Sequence, residues 1–332
     1  MKLRLKGHAP ILSPPPPPPP PPAGGSYPAA VIAADTALGG TTMRGVWDLY
    51  TTAGCRVAQA SLTPIASATV PGTVTRAAGA VTVNGAWTGS NIDFGGSGIF
   101  CLNGTVLDLT DCSIPASSSM RFWLGETAGA SPSGSAAASL HYVTIDMTNG
   151  DTTGGHALIT GLNASQLTVA NSKILNSPRA LIDWGTTTSL ALTMTDTVLG
   201  AFATNTATGD HTESIQFLGG TGTFTRVLID PGYGLPQVPA AATGPIFFEA
   251  TSATVNVTLT NCIILCPSSA GIYTFQCKAN NNNVNVTLTN CILQKGSSGY
   301  HDLTHVGANV VTVTNGGGNY DFDTALPILS GL

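Results

Sequence analysis

The sequence predicts an all-β solenoid of about eight stacked coils over residues 99–318. Three observations carry that expectation. Val255–Ile264 reads VNVTLTNCII, and Val284–Leu293, 29 residues on, reads VNVTLTNCIL, so nine of ten positions repeat. Within each copy Val, Val and Leu alternate with Asn, Thr and Thr, the period of a strand with one face buried. Asn261 and Asn290 then break the alternation. Asn tolerates the left-handed backbone of a sharp bend, so each copy reads as strand, Asn corner, strand.

Weaker copies place equivalent corners at Asp111, Tyr142, Asn171, Asp196, Arg226, Asn261, Asn290 and Asn315, spaced by 31, 29, 25, 30, 35, 29 and 25 residues. After each corner two alternate positions stay apolar or small: Cys112/Ile114, Val143/Ile145, Ser172/Ile174, Thr197/Leu199, Val227/Ile229, Cys262/Ile264 and Cys291/Leu293. Ser113, Thr144, Lys173 and Leu228 fall between them and should face outward. A further strand precedes each repeat, in Ile99–Leu102, Arg121–Leu124, Ala157–Leu162, Ala180–Trp184, Ser214–Leu218, Ile246–Ala250, Tyr273–Cys277 and Asp302–Val306. Three strands per coil give a triangular cross-section, and coils stacked at about 4.8 Å make a rod of roughly 40 Å.

The phrase VTLTNC, with strand, corner and strand in coils of this length, resembles the right-handed parallel β-helix of the pectate-lyase-like superfamily over roughly 99–318. In style it is closest to phage fibre and tailspike β-helices. The resemblance implies a three-faced right-handed solenoid whose first-strand face often carries the substrate groove. It does not choose an activity, because this fold serves lyases, hydrolases, tailspikes, adhesins and inert shafts.

In chain order, residues 1–25 read as an anchor peptide, Met1–Ser13, followed by nine prolines, Pro14–Pro22. The proline run should adopt polyproline II and span about 28 Å, either as a spacer that lets the peptide dock on a larger assembly or as an inconsequential tail. Residues 26–98 read as an N-terminal cap or attachment region with an early coil around Gly79–Trp87, since a solenoid must cover its open end. Residues 319–332 should fold back over the last coil, with Leu326, Ile328 and Leu329 on the apolar side.

Charge excludes more than it suggests. Only 9% of residues are charged and the net charge is -5, so no basic footprint for nucleic acid exists. No run of 18 apolar residues implies a transmembrane helix, and no apolar h-region follows the basic Lys2, Arg4 and Lys6, so no secretory signal is expected. Seven cysteines cannot all pair, which favours reduced thiols. Cys262 and Cys291 should stack inside as free thiols; Cys266 and Cys277, flanking a turn, are better placed for a disulfide.

The most polar cluster is Gly209–Gln216, GDHTESIQ, which resembles the His-x-Asp-Gly-Ile-Gln phrase of β-helix proteins with Glu213 and Ser214 in place of Asp-Gly. With Ile215 and Phe217 inward, Gln216 faces out, with His211 and Glu213 near the same face. Asp183 and Glu249 face out on neighbouring coils, and Tyr233 sits in the long turn Asp230–Gly244. Carboxylates two coils apart stand about 9.6 Å from each other, the range of an inverting glycosidase pair. The same residues equally suit carbohydrate binding without catalysis, or a solvated surface. A lyase would need a basic residue, and Arg179 beside Asp183 is the only pair near that face. His301 and His305 lie about 13 Å apart on a strand, too far to share an ion, so no metal or cofactor is expected.

The favoured reading is a structural and binding protein displayed on a virion surface, joined to its particle through Met1–Ser13 and recognising cell-surface polysaccharide. An extracellular-type fold without a secretory signal suits a virion protein, which leaves its host by lysis. The alternative is an extracellular lyase or glycosidase acting on a bacterial glycan. Trimers are common among spikes of this fold, although no heptads enforce one here.

Overall fold

The protein is described here by a computed structural model covering residues 26–77, 79–115, 122–125, 134–146, 159–161, 165–177, 182–184, 190–202, 213–232, 244–266, 273–330 and 332. It is a parallel β-solenoid. One sheet of ten strands stacks the first strand of every coil, from Ala80–Val83 to Gly299–His305, and is closed at one end by the antiparallel Val74–Ala77. A second sheet of seventeen strands turns the corner, with the long strands before it and the short strands after it on two further faces. The repeated decapeptides lie one above the other in register, Val255 on Val284 and Ile263 on Ile292.

The corners are where the chain leaves ordinary backbone space. Asp111, Tyr142, Asn171, Asp196, Arg226, Asn261 and Asn290 all take φ between 51° and 55°. Asn315 does not: it ends the strand Val311–Asn315, and pairing of Ile292 with Tyr320 puts Gly318 (φ 69°) opposite Asn290 instead. Asn290 Oδ1 would lie 2.0 Å from a Cβ there, so only glycine fits. A corner not anticipated, Asn91 (φ 54°), shows that winding begins before residue 99. Complete coils number roughly six rather than the eight expected. The rungs at each end find a parallel neighbour on one side only and act as closures.

Inside, each post-corner pair is buried as expected, from Cys112 and Ile114 to Cys291 and Leu293. The core is one continuous column along the stack, with Phe224, Leu259 and Leu288 in successive coils and Phe217 edge-on to Phe248 at 6.4 Å. Burial of each such side chain contributes about 1.5–3 kcal/mol.

The N-terminal region is helical: α1 (Ala29–Leu38), α2 (Thr42–Trp47) and α3 (Leu49–Thr52). Gly39 ends α1 in the left-handed conformation (φ 69°), and buried Asp35 then accepts hydrogen bonds from the Met43 and Arg44 amides at the start of α2. The helices lie along the side of the stack. Ala30, Val31, Met43, Val46 and Leu49 cover an outward apolar strip made by Leu175, Val198, Leu228, Ile263 and Ile292. Leu228, expected on an outer surface, is therefore fully buried under these helices. Trp47 stacks on Phe322 of the last rung at 6.0 Å.

From there the chain descends against the direction of winding. Gly54 donates to the Asn171 carbonyl at 2.8 Å, the Cys55 amide to Thr144 Oγ1 at 2.9 Å, and Thr63 to the Asn91 carbonyl at 2.9 Å. Residues 29–65 thus form a strap that starts beside the last coils and ends on the first. At the other terminus only Ile328 packs as expected, while Leu326 (63% exposed) and Leu329 (88% exposed) face solvent.

Candidate functional site

Alternation in short parallel strands fixes which side chains leave the core of the ten-stranded sheet. Ile182, Ile215, Ile246 and Phe275 point inward and are buried. Their following neighbours pair in a second column, Phe100, Trp123, Thr160, Asp183, Gln216, Phe247, Gln276 and Asp302 in that order, in which Gln216, Gln276 and Asp302 are half-exposed. Neighbours along it are about 4.8 Å apart. The register expected for Gln216, between buried Ile215 and Phe217, is the one found.

The column is graded in chemistry. Phe100 and Trp123 meet edge to face at 5.7 Å and are nearly buried. Further up, half-buried Gln216, Gln276 and Asp302 flank Phe247, which is 7% exposed. Amides and a carboxylate on either side of an aromatic ring can exchange hydrogen bonds with hydroxyls around a sugar's apolar face.

Glu249 lies outward too, but one step to the side. Its coil partner is Lys278, and the residue aligned with Asp183 two coils on is Phe247, not Glu249. The Asp183–Glu249 separation therefore exceeds the straight two-coil distance on which a hydrolytic pair was expected. Lys278 Nζ sits 3.1 Å from Glu249 Oε1, and Asn280 Nδ2 donates to the same oxygen. Glu249 is thus already engaged.

Glu213 corrects the sequence reading more sharply. It is fully buried, as is Ser214, instead of standing on the outer face beside Gln216. The peptide bends inward just before the strand Ile215–Phe217, where the Ser214 and Ile215 amides both donate to the Pro245 carbonyl at 2.8 and 3.2 Å. His211 and Tyr233 lie outside the described residues.

The cysteines are free. Cys262 and Cys291 are buried one coil apart, and each thiol donates to the carbonyl two residues before it, Thr260 and Thr289, at 3.4 Å. Burial drives the Cys262 thiol well above its ordinary pKa. Cys266 and Cys277 do not pair, and burial pushes the Cys266 thiol up to about 12.

Ion pairing between distant segments was invisible in sequence. Arg56 of the strap forks onto Asp111, Nε to Oδ1 at 2.8 Å and Nη2 to Oδ2 at 2.5 Å, with its guanidinium 3.6 Å from the centre of the Tyr142 ring. The Arg56 hydrogen bonds hold the Asp111 carboxyl below its usual range. The unusual corner Tyr142 was the available signal, since a bulky left-handed residue needs a compensating partner.

No protein-family model, no curated protein and no solved structure matches the chain. Architecture alone places it, as a parallel β-solenoid.

Proposed function

We propose that the chain is a pectate-lyase-like right-handed β-helix working as a structural and binding protein, displayed on a virion surface and recognising cell-surface polysaccharide through the outer face of its ten-stranded sheet. The observation that carries this reading is the column Gln216, Phe247, Gln276 and Asp302, spaced by the coil repeat along the ladder. An extended polymer can meet such a column at several points without ordering the protein first. Burial of Glu213 and engagement of Glu249 by Lys278 count against the hydrolytic alternative. Met1–Ser13 is the element proposed to join the particle.

The test is retention of bacterial surface polysaccharide by the purified chain. Gln216→Ala with Gln276→Ala should weaken it roughly tenfold while the circular dichroism spectrum stays unchanged. Deleting Met1–Pro22 should leave a folded solenoid that retains glycan but no longer joins its particle. Release of reducing ends or unsaturated sugars by the wild type would establish the enzymatic alternative instead.

A further inference from the structure

Among the described residues, no helix or second sheet covers the outer side of the long strands before the corner. Its composition is unusual. Parallel pairing in register stacks Thr168, Thr193, Thr223, Thr258, Thr287 and Thr314 in one unbroken column. Thr195, Thr225, Thr260 and Thr289 form a second column beside it. On the other side Thr221, Asn256, Asn285 and Thr312 make a third, in which Asn285 Nδ2 donates to Asn256 Oδ1 at 2.9 Å. The central column is solvent-facing, exposed at every one of its threonines except the half-exposed Thr287.

Each part of this pattern has a physical consequence. Neighbouring coils set the threonines about 4.8 Å apart along the stack, and alternate residues of one strand set them about 6.6 Å apart across it. The first spacing lies close to, and the second somewhat below, the repeat distances of water oxygens along the two axes of a prism plane of ice. Threonine is restricted at χ1, so few arrangements of hydroxyl and methyl are open to each copy. The hydroxyl donates and accepts, as a lattice water does, while the methyl orders water without competing for it. From Thr193 to Thr314 the three columns contain no ionisable side chain, whose hydration shell would disrupt such order. Asp108 and His141 enter only in the earlier coils.

We infer that this face binds ice, holding a layer of lattice-spaced water along its threonine columns. A single glycan chain is a poorer fit, because these three columns carry no aromatic side chain to meet a sugar's apolar face. The inference is independent of the glycan reading, which concerns another sheet. Individual hydroxyl contacts are weak, but a rigid array makes many at once, so adsorption strengthens with the number of aligned coils.

The experiment is nanolitre osmometry with ice-recrystallisation assays on the full chain. Wild type should facet ice crystals and open a gap between melting and freezing points. Thr258→Tyr should cut that gap roughly tenfold by lifting the lattice away from the surface, and Thr258→Lys should do the same by charge. Thr75→Tyr, on the exposed hairpin strand, should leave it unchanged. Circular dichroism identifies any variant that has not folded, and the remaining central variant then decides. An absence of ice faceting by wild type, a gap unmoved by the central replacements, or binding to crystalline cellulose without effect on ice would each overturn the inference.

Discussion

A corner residue here must hold a positive φ and leave its neighbours' polar groups satisfied. Asn261 and Asn290 meet the first demand intrinsically, whereas Tyr142 and Arg226 carry the ordinary left-handed penalty of about 1–2 kcal/mol. Both exceptions have a partner that offsets it: Arg56 lies over the Tyr142 ring, and Arg226 Nε donates to Asp196 Oδ1 at 2.7 Å on the preceding corner. The residue after the corner meets the second demand. Cys112, Ser172, Thr197, Cys262 and Cys291 each donate to the carbonyl two residues earlier, which explains why small donors recur at that inward position. Replacing Asn261 with Ala should therefore cost about 1–2 kcal/mol in urea unfolding, and replacing it with Gly only a few tenths. Equal losses in the two variants would show that the side-chain amide, not the backbone, matters there.

At the scale of elements the strap is the least local part of the fold. Its helices close an apolar strip, and its descending segment is pinned by Gly54, Arg56 and Lys173, whose Nζ donates to the Tyr50 carbonyl at 2.7 Å. Gly54 (φ 96°) approaches so closely that a Cβ would stand 2.7 Å from Thr144 Oγ1. The Arg56–Asp111 contact makes part of this attachment sensitive to acid. Because the folded Asp111 pKa is depressed, its contribution is present above the unfolded value and is lost as pH falls through the folded one. Burial raises the Asp230 pKa, so that group acts with the opposite sign, losing its contribution as pH rises through the folded value. Comparing wild type with Arg56→Ala cancels it. The stability gap between the two should be widest near neutral pH and shrink on acidification through the carboxylate range, as read by urea unfolding at each pH. A gap independent of pH would remove Asp111 from the account.

The whole molecule is a one-dimensional stack in which each coil pairs only with its neighbours, tied lengthwise by the strap. Local openings should therefore spare the interior thiols. Cys55, half-buried on the strap, should react first with a thiol reagent under native conditions, whereas Cys262 and Cys291 should wait for the stack to open. Mass spectrometry of timed labelling reads the order, and rapid modification of both interior thiols in the folded protein would contradict the closed stack. The strap also sets a direction. Ser26 lies at the start of a segment whose helices pack beside Tyr320 and Phe322, so the chain enters the structure at the end where winding finishes.

Much of this was legible in the amino-acid order because it depends on neighbours in the chain. Alternation of period two put Cys262, Ile264, Cys291 and Leu293 inside, and alignment of the repeat marked seven corners from Asp111 to Asn290, five of them Asn or Asp, which tolerate a left-handed bend. The outward register of Gln216 followed from the same alternation. Tertiary structure decided what meets those positions across long stretches of chain. Val198, Leu228, Ile263 and Ile292 point away from the main core and are buried only because helices more than a hundred residues earlier lie on them. Glu249 meets Lys278 only because one coil stacks on the next in register, and Glu213 is interior only because its peptide turns in against the following coil at Pro245. Local periodicity specifies a face; which faces are covered is settled by contacts between residues far apart in sequence, and no short-range pattern encodes them.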